Sequence, residues 1–297
     1  ENDVEASISV NKKLVTPQNT VIVIDLSLSM AQSIDYTGSG DPMADTYEET
    51  RWYALSNALD EFLNIYMDGR NKVTIIGYNE KAKEEYVLVE DSTNKVTAQQ
   101  SYKDVFTREQ YNSIPEEYKG DVDNLVGYED KNGIEHPSTG TLLASGTNIE
   151  DGLIKAEEMI RRNNQSYNGA QVILMTDGKA NRSVNDDGEI IKDDNNGINE
   201  AANKAEELKD KGITLYTVAL SLNDTTHINK LRDMASTDEN GNKLSTSAND
   251  IEALTNYFKE ISEIISEYHE TFTTEGGILI IRDEAFKVDS RYVKNVE

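Results

Sequence analysis

The chain has 297 residues, of which 29 are Lys or Arg and 55 are Asp or Glu, so its formal net charge is −26. So acidic a surface disfavours binding to nucleic acids and anionic membranes, which require basic patches. The sequence contains no cysteine, which excludes disulfides and thiol chemistry. No apolar run approaches the length of a membrane span, so we expect no membrane insertion. From the net charge, we expect no nucleic-acid partner.

The first part of the chain predicts strands around one amphipathic helix. Residues 4–15 alternate apolar and polar side chains, which is typical of a half-buried strand. From Tyr47 to Met67, apolar residues recur with the three-and-four spacing of a helix face. Residues 30–46 are rich in Gly, Ser and Asp and predict a loop. Short apolar runs predict further strands at residues 20–26, 72–78 and 85–89.

After an irregular, polar stretch at residues 90–144, the rest of the chain alternates helices and strands. The predicted helices are residues 149–162, 198–208, 226–234 and 251–268. The predicted strands are residues 171–175, 213–220 and 244–247, with a polar loop at 181–197 and strand-like runs within 277–296. This alternation indicates an α/β fold with a Rossmann-like, doubly wound, mostly parallel sheet that is flanked by helices on both faces.

Oxygen-bearing side chains follow two of the apolar strands and precede one helix. Asp25, Ser27 and Ser29 stand at alternate positions at the end of the first strand, Asp177 ends a later strand, and Thr147 precedes an amphipathic helix. Carboxylates and hydroxyls are hard ligands of the kind that Mg²⁺ prefers, and ligands in such folds bind at the carboxyl ends of strands. Each residue alone also fits a helix cap or a turn, but together they predict a divalent-cation site.

The order DLSLS, SGTN and then a hydrophobic strand ending in TDG resembles the von Willebrand factor A domain with its metal-ion-dependent adhesion site. The resemblance implies Mg²⁺ as the cofactor, with Mn²⁺ or Ca²⁺ as alternatives. Leu28 stands where many members of the family have Gly or Asn, which puts the local packing in question. The resemblance carries over five metal ligands: Asp25, Ser27, Ser29, Thr147 and Asp177.

The resemblance also divides the chain. It covers about residues 19–268 as the A domain. The 120 residues from Ser27 to Thr147 exceed the family's usual spacing, which implies an insertion at about 90–144, alone or shared with residues 30–46. Residues 1–18 and 269–297 are expected to add extra β-strands at the two ends, as pieces of a flanking β region or an adjacent domain. This arrangement resembles the A domains of Gram-positive pilus-tip adhesins.

A function follows from the resemblance as an expectation. It implies a non-enzymatic cell-adhesion module of a secreted, extracellular virulence protein, carried on a bacterial pilus or anchored to the cell wall. The expected partners are a pilus backbone subunit and a host matrix or cell-surface protein that offers an Asp or Glu carboxylate to the metal. The alternative is an intracellular A-domain adaptor that recruits substrates to an ATPase complex. Ser29 lacks a Gly-x-Ser-x-Gly context, which argues against an enzyme.

Two further sets of residues have both a functional and a plain interpretation. Lys179 and Asn181 follow the third metal loop and are candidates for ligand contacts, although Lys179 equally fits as an offset to nearby acids. Lys12 or Lys13 and Asn295 would allow an intramolecular isopeptide bond, a feature of related pilins. The plain interpretation is a surface lysine and a terminal asparagine.

Overall fold

A computed structural model gives the fold for residues 12–15, 19–36, 40–67, 69–185, 187–192, 196–266 and 269–272. In this part of the chain the helices are α1 (Arg51–Tyr66), α2 (Lys95–Lys103), α3 (Arg108–Ser113), α4 (Ile149–Arg162), α5 (Gly197–Asp210), α6 (Thr225–Met234) and α7 (Ile251–Ser266). The strands are β1 (Lys12–Val15), β2 (Asn19–Asp25), β3 (Lys72–Tyr78), β4 (Val87–Ser92), β5 (Gly127–Glu129), β6 (Glu135–Pro137), β7 (Gln171–Thr176), β8 (Arg182–Val184), β9 (Ile190–Lys192), β10 (Thr214–Leu220), β11 (Ser245–Ala248) and β12 (His269–Phe272).

A six-stranded sheet with the order β11-β10-β7-β2-β3-β4 forms the centre of the larger unit, Pro17–Ser266. All neighbours are parallel except β4, which runs antiparallel to β3 at one edge. The central strands are rich in Val and Ile, and almost all of their residues are buried, as expected of parallel strands that are covered on both faces. The predicted doubly wound α/β fold is therefore confirmed.

Alternate residues of β2 point into two separate cores. Ile22 and Ile24 join the core on the side of α1 and α7, where the rings of Phe62 and Phe258 meet edge to face at 6.0 Å between centroids. Val21 and its neighbours on the same face join the second core, on the side of α4, α5 and α6. Helices therefore pack on both faces of β2, and β2 ends at Asp25, the first of the candidate metal residues.

The prediction that residues 90–144 are irregular was wrong in detail. This segment contains α2, α3 and the antiparallel pair β5 and β6, and it buries aromatic side chains, among them Tyr102 and Phe106, in the same core as α1. The helices start at side-chain caps: Asn94 accepts from Thr97 N, and Thr107 accepts from Gln110 N. Widely spaced aromatic residues that pack on another element leave no local periodicity for the sequence to show.

Two other predictions differ from the structure. The polar stretch that was predicted as a loop at 181–197 contains the antiparallel pair β8 and β9. The strand predicted at 85–89 lies at Val87–Ser92. The helix predicted at 251–268 is confirmed to Ser266, and its last two residues lie outside the described part of the chain. Such differences of a few residues are expected where capping and pairing, rather than periodicity, set the end of an element.

A separate small unit contains β1 and β12, which pair antiparallel with Lys12 opposite Phe272 and Val15 opposite His269. Strands at both ends of the chain were predicted. The runs at 4–11 and 277–296 lie outside the described residues, as does Asn295, so the isopeptide bond and the domain boundaries stay predictions. In the described parts of the chain, no helix combines the length and the apolar character that crossing a membrane requires.

Candidate metal centre

Three loops meet at the carboxyl-terminal edge of the sheet. Asp25 is the last residue of β2, and a 3₁₀ turn over Leu28–Ala31 follows it. Thr176 ends β7, the neighbour of β2, and α4 begins after its cap residue Asn148. The chain leaves β2 for β3 on one side, whereas β7 lies on the other, so the loops meet at a switch point of the sheet, where ligands bind in such folds.

The hydroxyls of the first loop and the carboxylate of the third loop form one cluster of oxygen atoms. Ser27 Oγ and Ser29 Oγ lie 2.9 Å apart, and they are 3.1 and 3.0 Å from the same atom, Asp177 Oδ1. Asp177 and Ser27 are buried, whereas Ser29 is only partly covered and reaches the surface of a cleft. The cluster is therefore preformed and accessible from one side.

Asp25 lies beneath this cluster and is completely buried. Its carboxylate accepts hydrogen bonds from Ser27 N at 2.8 Å and Thr176 Oγ1 at 2.7 Å, with Tyr78 OH at 3.4 Å. Burial, and then the charge of Asp177, raises the pKa of Asp25 to about 7 against the opposing effect of these hydrogen bonds. Burial also raises the pKa of Tyr78 well above its ordinary value. Two buried carboxylates whose charges act on each other favour the presence of a cation between or beside them.

The second and third loops are fastened to each other through Thr147. Thr147 N donates to Asn181 Oδ1 at 2.9 Å, and Asn181 N donates to Thr147 O at 3.0 Å. Gly178 lies so close to the other two loops that a Cβ built on it would be 3.1 Å from Thr147 Oγ1 and 3.8 Å from Ser29 Oγ. Because glycine has no side chain, a small space, here called the cradle, remains between the hydroxyls of Thr147 and Ser29. Gly146 adopts φ +93°, which only glycine takes readily, to turn the second loop.

Leu28 fits the first loop without disturbing it. Its side chain is buried, and its backbone N donates to Ala144 O at 3.1 Å, while Ala144 N donates to Leu26 O at 2.9 Å. Two hydrogen bonds therefore tie the first loop to the segment before Thr147. The departure from the family's usual Gly or Asn leaves the candidate ligands in place.

A buried arginine is the residue of this site that the sequence analysis missed. Arg51, the first residue of α1, is 5% exposed, and its Nη1 donates to Asp177 Oδ2 at 2.9 Å. Asp177 therefore turns one oxygen to two hydroxyls and the other to a guanidinium. The available signal was weak: a cation at the first position of a helix is disfavoured by the helix dipole, so its presence there suggests another role.

The three loops line an open cleft of about 580 Å³. Lys179 stands at its rim with a side chain that is 60% exposed, and its Nζ lies 2.7 Å from Asp224 Oδ2. Asn181 also lines the cleft, although its amide oxygen is engaged with the second loop. Of the two tentative ligand-contact residues, Lys179 is paired with Asp224, as its plain interpretation expects, and Asn181 holds the second and third loops together. Contact of either residue with a ligand stays a prediction.

The donor set fits a small, hard dication. The hydroxyl oxygens of Thr147 and Ser29 lie at Gly178, the carboxylate of Asp177 contacts Ser29 Oγ, and the sequence has no cysteine. Among the residues that the structure describes, no group of three or more His, Cys, Asp or Glu side chains is placed to hold a metal ion. The predicted ligand set has only two acids, Asp25 and Asp177, so a group of three such side chains is not expected of it, and the ligand set stays a prediction.

Solved structures, rather than sequences, identify relatives of this fold. No protein-family model and no curated protein sequence matches the chain. The vWF domain of the type V pili tip protein Mfa5 from Porphyromonas gingivalis matches with a TM-score of 0.55 at 14% identity, covering 85% of this chain and 96% of that one.

Two longer proteins match comparably. The pilus adhesin SpaC from Lactobacillus rhamnosus GG gives a TM-score of 0.54 at 14% identity over 85% of this chain and 30% of that one. The PilB minor pilin from Streptococcus sanguinis gives 0.53 at 14% identity over 84% and 62%. The chain thus spans less than two thirds of either protein. The chain has the fold of a von Willebrand factor A domain and resembles, in that fold, the A domains of pilus adhesins.

Proposed function

We propose that this chain is a metal-dependent adhesion module. Ser27, Ser29 and Thr147 would hold Mg²⁺, or alternatively Mn²⁺ or Ca²⁺, with Asp25 and Asp177 beside it. The observation that carries the proposal is the convergence of two hydroxyls on one oxygen of Asp177 at the floor of an open cleft.

The residues of the chain prepare the site in distinct ways. Asp25 accepts from Ser27 N and so fixes the backbone of the first loop, while Asp177 orients the hydroxyls of Ser27 and Ser29. The pair of hydrogen bonds between Thr147 and Asn181 sets the spacing of the other two loops.

A bound dication supplies a Lewis-acidic position that a carboxylate of a partner protein completes. Neutral hydroxyl ligands leave more of its charge for that carboxylate than directly bound acids would. The site requires no catalytic step. Among the described residues, the hydroxyls of Ser27 and Ser29 contact each other and Asp177, and no histidine donates to them or accepts from them.

The partner and the location are part of the same proposal. A host matrix or cell-surface protein would present an Asp or Glu side chain to the cleft, and a pilus backbone subunit would carry the module outside a Gram-positive cell. The printed descriptions of Mfa5 as a pili tip protein and of SpaC as a pilus adhesin support a place on a pilus.

The test is binding to a panel of immobilised matrix proteins with Mg²⁺ or with EDTA, for the wild type and two serine variants. Ser27→Ala removes a hydroxyl of the cluster, whereas Ser56→Ala removes a buried hydroxyl that donates to Trp52 O within α1. We expect EDTA and Ser27→Ala to abolish binding and Ser56→Ala to leave it unchanged. Binding that survives both EDTA and Ser27→Ala would refute the proposal, and an intracellular adaptor predicts no binding to the panel.

A further inference from the structure

Arg51 carries a positive charge into the centre of the candidate metal site. Its side chain is 6% exposed, and Nη1 forms the ion pair with Asp177 Oδ2 at 2.9 Å. The same nitrogen lies 3.5 Å from Ser29 O, and Nη2 lies 3.4 Å from Tyr36 O. One guanidinium thus contacts the first loop, the third loop and the wall of the cleft.

The ion pair between Arg51 and Asp177 is not explained by a contribution to the stability of the fold. Taking a guanidinium and a carboxylate out of water is costly, and apolar side chains in their place often stabilise a protein as well or better. Arg51 Nε is moreover buried with no hydrogen-bond partner. By contrast, the ion pair of Arg162 with Glu90 lies at the surface, with both side chains about a third exposed. A buried, incompletely satisfied arginine at a ligand site is more simply explained by an effect on the ligand.

The effect follows from the two oxygens of Asp177. Oδ1 faces the hydroxyls of Ser27 and Ser29, where a dication would be held, while Oδ2 faces Arg51. The guanidinium already neutralises this carboxylate, and it would repel a second cation on the other side. Between buried charges such effects are screened little by salt.

Resting on the proposed function, we propose that Arg51 is a built-in counter-cation that competes with the metal. It keeps Ser29 and Asp177 in place when no metal is bound, and it weakens the affinity for Mg²⁺. Arg51 therefore sets the cation concentration at which the module becomes able to bind its ligand. The opposite role, in which Arg51 only holds Asp177 in position for the metal, predicts the opposite sign.

The direct test is calorimetric titration of Mg²⁺ and Mn²⁺ into the wild type and three variants. Arg51→Gln removes the charge, Arg51→Lys keeps it, and Arg162→Gln makes the same change of net charge at the surface. We expect Arg51→Gln to bind both ions about tenfold more tightly, with Arg51→Lys and Arg162→Gln within about threefold of the wild type. The gain should persist at about 0.5 M salt. Equal or weaker binding by Arg51→Gln would overturn the inference.

A second measurement uses the wild-type protein and does not depend on the folding of Arg51→Gln. Arginine side chains labelled with ¹⁵N give guanidinium NMR signals, and Arg51→Lys identifies the one from Arg51. In EDTA this signal should be protected from exchange with water, and saturation with Mg²⁺ should shift it and reduce the protection. A signal that stays unchanged at saturation would overturn the competition.

The combined results separate this inference from the proposed function. If the wild type binds Mg²⁺ and Arg51→Gln binds no more tightly, only the role of Arg51 fails. If the wild type does not bind but Arg51→Gln does, the competition holds and the metal dependence of the native module fails. If neither protein binds either ion, both proposals fail.

Discussion

Asp25→Asn should make the metal-free protein more stable and should abolish its response to metal. The carboxylate of Asp25 is completely buried, and its pKa rises from the ordinary 3.8 to about 7, chiefly through burial. Because the folded state holds this proton up to a higher pH than the unfolded state does, the group lowers stability as pH rises from about 4 to about 7. At pH 8, where Asp25 is charged in both the folded and the unfolded state, this group lowers the free energy of unfolding by about 4 kcal/mol.

The local structure can accept an amide. Asn Oδ1 would still accept from Ser27 N, and the Thr176 hydroxyl, which also lies 3.2 Å from Gly178 O, would donate to that carbonyl and accept from the new amide. We therefore expect the free energies of unfolding of variant and wild type to agree near pH 4 and to differ, in favour of the variant, by up to about 4 kcal/mol at pH 8.

The assay is urea denaturation in EDTA at several pH values, repeated with excess Mg²⁺. Asp233→Asn, at an exposed site on α6, controls for the change in net charge and should show no such pH dependence. Mg²⁺ should stabilise the wild type and Asp233→Asn but not Asp25→Asn, since only a protein that binds the ion gains from it. An Asp25→Asn protein that is no more stable than the wild type at pH 8 in EDTA would refute the reasoning.

Three other changes test separate parts of the structure. Thr147→Ala should weaken Mg²⁺ binding measured by calorimetry more than Lys179→Ala does, and the reverse order would contradict the ligand assignment. Gly178→Ala places a methyl group 3.1 Å from Thr147 Oγ1, so calorimetry should show weaker Mg²⁺ binding while thermal unfolding in EDTA changes little; unchanged affinity would show that the cradle is not used. Phe258→Ala, in the core between α1 and α7, should lower the free energy of unfolding by about 3–5 kcal/mol in denaturant titrations, whereas a loss below about 1 kcal/mol would mean that α7 is loosely packed.

The sheet and the three loops could be predicted because strands that are buried on both faces leave continuous apolar runs. The runs before Asp25 and Asp177 are of this kind, and the carboxyl ends of parallel strands meet at one edge. The structure places Ser27, Ser29 and Asp177 in contact, with Thr147 next to them across Gly178. Whether the site holds a metal stays a prediction.

The parts that the sequence did not reveal depend on contacts between distant residues. Nothing near Arg51 in the sequence indicates that it reaches Asp177, 126 positions further on. The fold of the insertion depends on aromatic anchors such as Tyr111, whose hydroxyl donates to Ala44 O at 2.7 Å. Asn181 was predicted as a ligand contact, and its bond to Thr147 is equally invisible without the fold. In each case the partner is fixed by topology and not by spacing along the chain.

The most direct test of the central claim is diffraction from crystals grown with Mn²⁺, since the anomalous signal locates that ion without assumptions about the protein. We predict one strong peak within coordination distance, about 2.2 Å, of the hydroxyl oxygens of Ser27, Ser29 and Thr147. A map at saturating Mn²⁺ with no peak there, and with Ser27 and Ser29 still bonded to Asp177, would contradict it.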